Sequence, residues 1–202
     1  YLVASAELSV SQPGVAATRV ADVTEDVTYD TPYDADSGDV QVLDVPAGTR
    51  ALVVSVEATD APDVDLFVGT GTTPSQANLK CRSAQAGSAE ECVITNPTAG
   101  PWWVLVQNYE ATSAGATDEV TTATAMLTND TASHLNAAIT TTNAPGRTND
   151  VALTWNEPLV GVDELAYAFV DINAAGQDTI SSVVRLEQLA ADAAAAQNPV
   201  LP

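Results

Sequence analysis

Positive charge is scarce in this chain. One lysine and five arginines stand against 27 aspartates and glutamates, giving a formal net charge of −21. Phosphate binding needs clustered lysine or arginine, so nucleic acid is excluded as a partner, and anionic lipid is repelled for the same reason. The acidity suits a protein exported into saline surroundings, where counterions screen self-repulsion. Histidine is nearly absent: His134 is the one imidazole. It lies in a polar junction, and neither a Gly-x-Ser-x-Gly elbow nor a His-Glu-x-x-His pair occurs, so the chain reads as non-catalytic. No run of 18 apolar residues occurs, which excludes a membrane-spanning helix. No basic segment followed by an apolar one opens the chain at Tyr1, so a processed piece of a larger protein is expected. Cysteine is limited to Cys81 and Cys92, with ten residues between them. An even count in a lysine-poor, β-rich chain points to one disulfide and an oxidising compartment; two buried thiols are the alternative. Zinc would need four ligands, and His134 alone could supplement the cysteines.

What is abundant is threonine, valine and alanine, with turns at short intervals and 46% apolar residues. That is the pattern of an all-β, antiparallel sandwich rather than of a disordered chain. Arg50 to Ala58 alternates, with Leu52, Val54 and Val56 on one face and Val53, Ser55 and Glu57 on the other. Further strands are predicted at Val64–Val68, Cys92–Asn96, Trp102–Tyr109 and Val120–Leu127, with a loop over Gly69–Asn78. A second set follows at Asn136–Thr142, Val151–Trp155, Leu165–Ile172 and Thr179–Leu186. Four strands are too few for an independent sandwich of about seven. Ala6–Val10, Thr18–Val23 and Asp26–Tyr29 are therefore candidates to complete it from the other end of the chain. The expected organisation is N-terminal strands over 1–36, a sandwich over 37–130, part of a second sandwich over 131–188 and a tail over 189–202. Glu187–Gln197 is alanine-rich and reads as a linker or a short helix.

From Val45 to Tyr109 the order of features is specific. A Pro46-Ala47-Gly48 turn enters an alternating strand. Asp65-Leu66-Phe67, a Cys81-Arg82-Ser83 loop, Glu90-Glu91-Cys92 and an Ala99-Gly100 turn before Trp102-Trp103 follow in sequence. This order resembles the bacterial pre-peptidase C-terminal domain, a β-module appended to secreted subtilisin-like proteases. The later strands more loosely resemble a fibronectin-III or immunoglobulin-like sandwich. The first resemblance implies a jelly-roll-like β-sandwich and a disulfide between Cys81 and Cys92. It also implies that Asp65 accepts backbone hydrogen bonds, and it points to an accessory role. Its collagen-binding relatives use calcium near their N-terminal side.

Two candidate sites follow. Asp34, Asp36 and Asp39, in Tyr33-Asp-Ala-Asp-Ser-Gly-Asp, could supply oxygens to calcium; the alternative is a solvated acidic turn. A second acidic group is Asp60, Asp63 and Asp65. On the aromatic strand, the resemblance turns Trp102 to the core. Trp103, Leu105 and Tyr109 then form a stripe that either binds a polymer, collagen-like or polysaccharide, or is covered by the second sandwich. The functional expectation is an extracellular, non-catalytic accessory region of a secreted hydrolase. Its partners would be the parent catalytic domain or an insoluble polymer. The alternative is a subunit of a surface layer, adhesin or filament that self-assembles by strand pairing.

Overall fold

The computed structural model describes residues 6–28, 31–34, 38–130, 135–139, 151–155, 164–174 and 178–187. All regular structure among them is β-strand. The chain forms two compact units: Ala17–Met126, here the middle unit, and Tyr1–Ala16 with Leu127–Pro202, here the terminal unit.

In the terminal unit, β1 (Ala6–Val10) and β2 (Gly14–Val15) come from the start of the chain. β11 (Leu135–Ile139), β12 (Val151–Trp155), β13 (Leu165–Ala174) and β14 (Ile180–Glu187) come from its end. β1 pairs antiparallel with β13 from Ala6 opposite Ala174 to Val10 opposite Val170, and β14 pairs along the other edge of β13. The two ends of the chain thus share one sheet. Val10, Ala166, Ala168, Val170 and Leu186 form its buried cluster. β11 and β12 make a separate antiparallel pair. The alanine-rich segment 188–197 and His134 lie outside the described residues.

The middle unit contains β3 (Ala17–Thr24), β4 (Asp39–Val45), β5 (Ala51–Thr59), β6 (Asp63–Thr70), β7 (Leu79–Ser83), β8 (Glu91–Thr95), β9 (Gly100–Glu110) and β10 (Thr117–Leu127). One sheet runs β3-β10-β5-β8 and the other β4-β9-β6-β7. Alternation explains the layer between them, because alternate residues of a strand share a face. Val23, Leu52, Val54, Val56 and Val120 from one sheet meet Val45, Val64, Leu66, Val68, Trp102, Val104 and Val106 from the other in a single buried cluster. Ala17–Thr24 pairs with β10 here, from Thr24 opposite Thr117 to Ala17 opposite Thr124, and so is not part of the terminal unit. Asp26–Thr28 is not strand, and the Cys-Arg-Ser segment is: it forms the short β7 beside β6.

Cys81 and Cys92 form a disulfide. Cys81 lies on β7 and Cys92 on β8, the edge strands of the two sheets, so the bond ties the sandwich along one open side. Closing a loop of this length restricts the unfolded chain. The double variant Cys81→Ala/Cys92→Ala is expected to lose about 2.5 kcal/mol, measured by urea denaturation. A loss under about 1 kcal/mol would mean that packing alone holds those edges.

Candidate functional site

The outer face of the β4-β9-β6-β7 sheet carries the side chains that alternate away from the core. Register sets Asp65 opposite Gln107, Phe67 opposite Leu105, and Gly69 opposite Trp103. β7 adds Arg82 opposite Phe67. The sequence places Trp103, Leu105 and Tyr109 on one stripe, and the structure divides that stripe. Trp103 and Leu105 are 0% and 1% exposed, whereas Tyr109 is 42% exposed. The cover comes from the same unit: Tyr33, Leu79 and Ala84 pack on Phe67, Trp103 and Leu105. Tyr33 meets Phe67 and Trp103 edge-on, with ring centroids 6.0 Å and 6.2 Å away. Such aromatic pairs favour this geometry because a positive ring edge faces a negative ring face. Trp103 and Leu105 are therefore core residues, and of the three proposed polymer-binding side chains Tyr109 alone reaches solvent. The Trp103 Nε1–H donates to Asn78 Oδ1 at 3.0 Å, which satisfies the buried indole.

Beyond Tyr33 the face opens into a cavity of about 180 Å³, lined by Tyr33, Asp65, Phe67, Gln76, Arg82 and Tyr109, among others. Asp65 is 8% exposed. The backbone hydrogen bonds expected on its carboxylate are not made: among the described residues no donor reaches it. Its pKa is pushed up to about 6, chiefly by burial and next by the charge of Asp63, while Arg82 opposes the shift. Arg82 lies with its guanidinium 5.7 Å from the centre of the Phe67 ring. The Tyr33 hydroxyl donates to Gln76 Oε1 at 3.3 Å. Gln107 donates to Asp26, which is 2% exposed.

The structural work expected of Asp65 falls to other carboxylates. Asp118 accepts from Asn108 Nδ2 at 3.0 Å, from the Thr112 N–H at 3.1 Å and from the Thr112 hydroxyl at 2.7 Å. These donors, the Thr112 hydroxyl foremost, hold its pKa below the usual carboxylate range. Glu25 accepts from the N–H groups of Ala111 and Gly115, and Glu90 from Gln85 N–H and Ser83 Oγ. Asp63 accepts from Gly87 N–H at 3.1 Å.

Of the proposed calcium ligands, Asp36 lies outside the described residues and Asp34 is exposed. Asp39 takes a two-pronged ion pair from Arg19 across β3 and β4. A larger cavity of about 490 Å³ beside it is lined by Asp22, Glu25, Asp26 and Asp39, a grouping that sequence spacing does not reveal. Among the described residues no three carboxylate, histidine or cysteine side chains converge as a metal site. Here the carboxylates of Glu25, Asp26 and Asp39 already accept protein hydrogen bonds, and a cation would have to displace them. No helix among the described residues is long and apolar enough to cross a membrane.

Comparison with known proteins agrees with this architecture. Residues 37–108 match the bacterial pre-peptidase C-terminal domain family. A stretch of 51 residues is 35% identical to Xanthomonalisin of Xanthomonas sp. (strain T-22); it covers 25% of this chain and 6% of that protein. No solved structure matches the chain. The matched span begins two residues before β4 and ends within β9, so it takes in β4 to β8 and most of β9 but neither β3 nor β10. The middle unit thus carries, over residues 37–108, a bacterial pre-peptidase C-terminal domain.

Proposed function

We propose that this chain is a non-catalytic, extracellular accessory region of a larger secreted hydrolase of the subtilisin-like serine protease kind. Its tasks would be maturation, spacing or attachment to an insoluble polymer. The observation that carries the reading is the match of residues 37–108, inside the middle unit, to a domain whose description ties it to peptidases. The local similarity to Xanthomonalisin supports it. The disulfide supports an oxidising compartment.

The test compares the complete parent polypeptide with the same polypeptide lacking this region. Hydrolysis of a soluble peptide should be retained, while secreted yield or cleavage of an insoluble substrate falls. Proteolysis of casein by the purified chain alone, or loss of soluble-peptide hydrolysis on deletion, would refute the accessory role. Calcium enters this proposal through Asp34, Asp36 and Asp39, and Asp39 would have to give up its ion pair with Arg19 to bind it. Melting is expected to rise with calcium, and not with magnesium at equal ionic strength, if those residues hold the ion; equal melting in chelator removes calcium from the reading.

Self-assembly by strand pairing is the second reading, and one observation favours it. Among the described residues β14 pairs with β13 alone and carries Ile180 at 65% exposure. Unpaired strand edges template further strands. Light scattering that stays monomeric up to high protein concentration would end this reading.

A further inference from the structure

The 180 Å³ cavity on the outer sheet face combines features that no structural role explains. Asp65 is more than nine-tenths buried, and its carboxylate meets no hydrogen-bond donor among the described residues. The carboxylate oxygens still touch solvent through the cavity, so a group entering there would exchange that water for its own donors. Arg82 lines the same cavity, yet among the described residues it forms no ion pair with Asp65. One unpaired acceptor and one multidentate donor therefore face a shared space. Tyr33, Phe67 and Tyr109 wall it, and Tyr109 reaches solvent.

Charge decides what could sit there. An alkylammonium would be welcomed by Asp65 but repelled by Arg82. A carboxylate would meet the reverse. A zwitterion would answer both charges. A neutral group bearing adjacent hydroxyls does so too, donating to Asp65 and accepting from Arg82, and it is favoured by the aromatic lining, on which its C–H face can lie. The volume is below the roughly 300 Å³ of pockets for drug-sized ligands, which fits a single sugar ring rather than a chain segment. We propose that this pocket binds one ring of a neutral saccharide between Asp65, Arg82 and Tyr109. The proposal deepens the polymer-attachment part of the function above, and its test involves no protease, so the two can fail separately.

The experiment titrates the isotope-labelled full chain with cellotriose, maltotriose and the N-acetylglucosamine trisaccharide, and in parallel with butylammonium and propionate. Backbone resonances report which residues respond. At least one saccharide should perturb Asp65, Arg82 and Tyr109, with a dissociation constant of about 0.1–10 mM. The exposed Arg82→Ala variant and the near-isosteric Asp65→Asn variant should each weaken that binding by at least about ten-fold, with the remaining spectrum unchanged. Three results would overturn the proposal: no response at this pocket to any of the saccharides, a response to either ion in their place, or binding unaltered in both variants.

Discussion

Trp103→Ala is expected to cost the middle unit about 4 kcal/mol, the largest loss of any single truncation on this face. The indole is fully buried against Phe67, Leu105, Tyr33 and Leu79. The fold is shaped around it. Gly69, directly opposite on β6, leaves the space the ring fills: a Cβ there would stand 2.2 Å from Trp103 Cζ2. The indole N–H also fixes a turn. Its acceptor, Asn78 Oδ1, takes the Ser75 N–H at 3.1 Å and hydroxyl at 2.9 Å as well, and Asn78 Nδ2 donates to Thr73 O at 3.0 Å. Truncation therefore opens a cavity and removes one anchor of the 71–78 loop. Urea denaturation followed by circular dichroism measures the loss. Tyr109→Ala on the same strand should cost less, under about 2 kcal/mol, because that ring is partly in solvent. Equal costs for the two variants would contradict the division of the stripe. Gly69→Ala should also destabilise, since Trp103 has no room to retreat.

The contrast between Trp103 and Tyr109 shows where sequence reading runs out. Alternation assigns faces reliably on β5 and β9, because one face of each meets the opposing sheet. Leu52, Val54 and Val56, and Trp102, Val104 and Val106, are all core as their spacing predicts. Alternation cannot say what lies across the other face. The cover on Trp103 is Tyr33, which is 70 positions earlier and in a loop, outside any periodic segment. β7 is illegible in the sequence for a related reason: Leu79–Ser83 is a short edge strand whose only apolar residues are Leu79 and Cys81, in a turn-rich neighbourhood. The acidic residues were the least legible. With 27 in the chain, spacing along the sequence carries little information about which meet in space. Asp34, Asp36 and Asp39 are neighbours in sequence, yet Asp39 is spent on Arg19. Asp65 belongs to the Asp-Leu-Phe segment of β6, but what distinguishes it is the absence of a protein donor on its carboxylate among the described residues.

Asp65→Asn is expected to stabilise the middle unit at neutral pH by about 1 kcal/mol once solvent screening is allowed for, a few degrees in melting temperature. The sign follows from the direction of the shift. Asp65 ionises near the usual 3.8 when unfolded and at about 6 when folded. Between those values the folded chain holds more protons than the unfolded one. Its contribution to stability therefore declines as pH rises from about 4 to about 6, and stays low above that. Asparagine abolishes the decline. The gain should be full at pH 7.5, half-developed near pH 5 and absent below pH 4. Other groups tilt the parent curve: Asp63 is shifted upward by burial, and Asp118 downward by its donors, which gives the opposite slope at lower pH. The difference between variant and parent isolates Asp65. A neutral or destabilising substitution at pH 7.5 would mean that the carboxylate already has a donor, and would undercut the saccharide pocket as well. If the variant is both more stable and unable to bind, the two results reinforce each other. A buried carboxylate that the fold would be better without, set beside an arginine it does not pair with, is then kept for what enters between them.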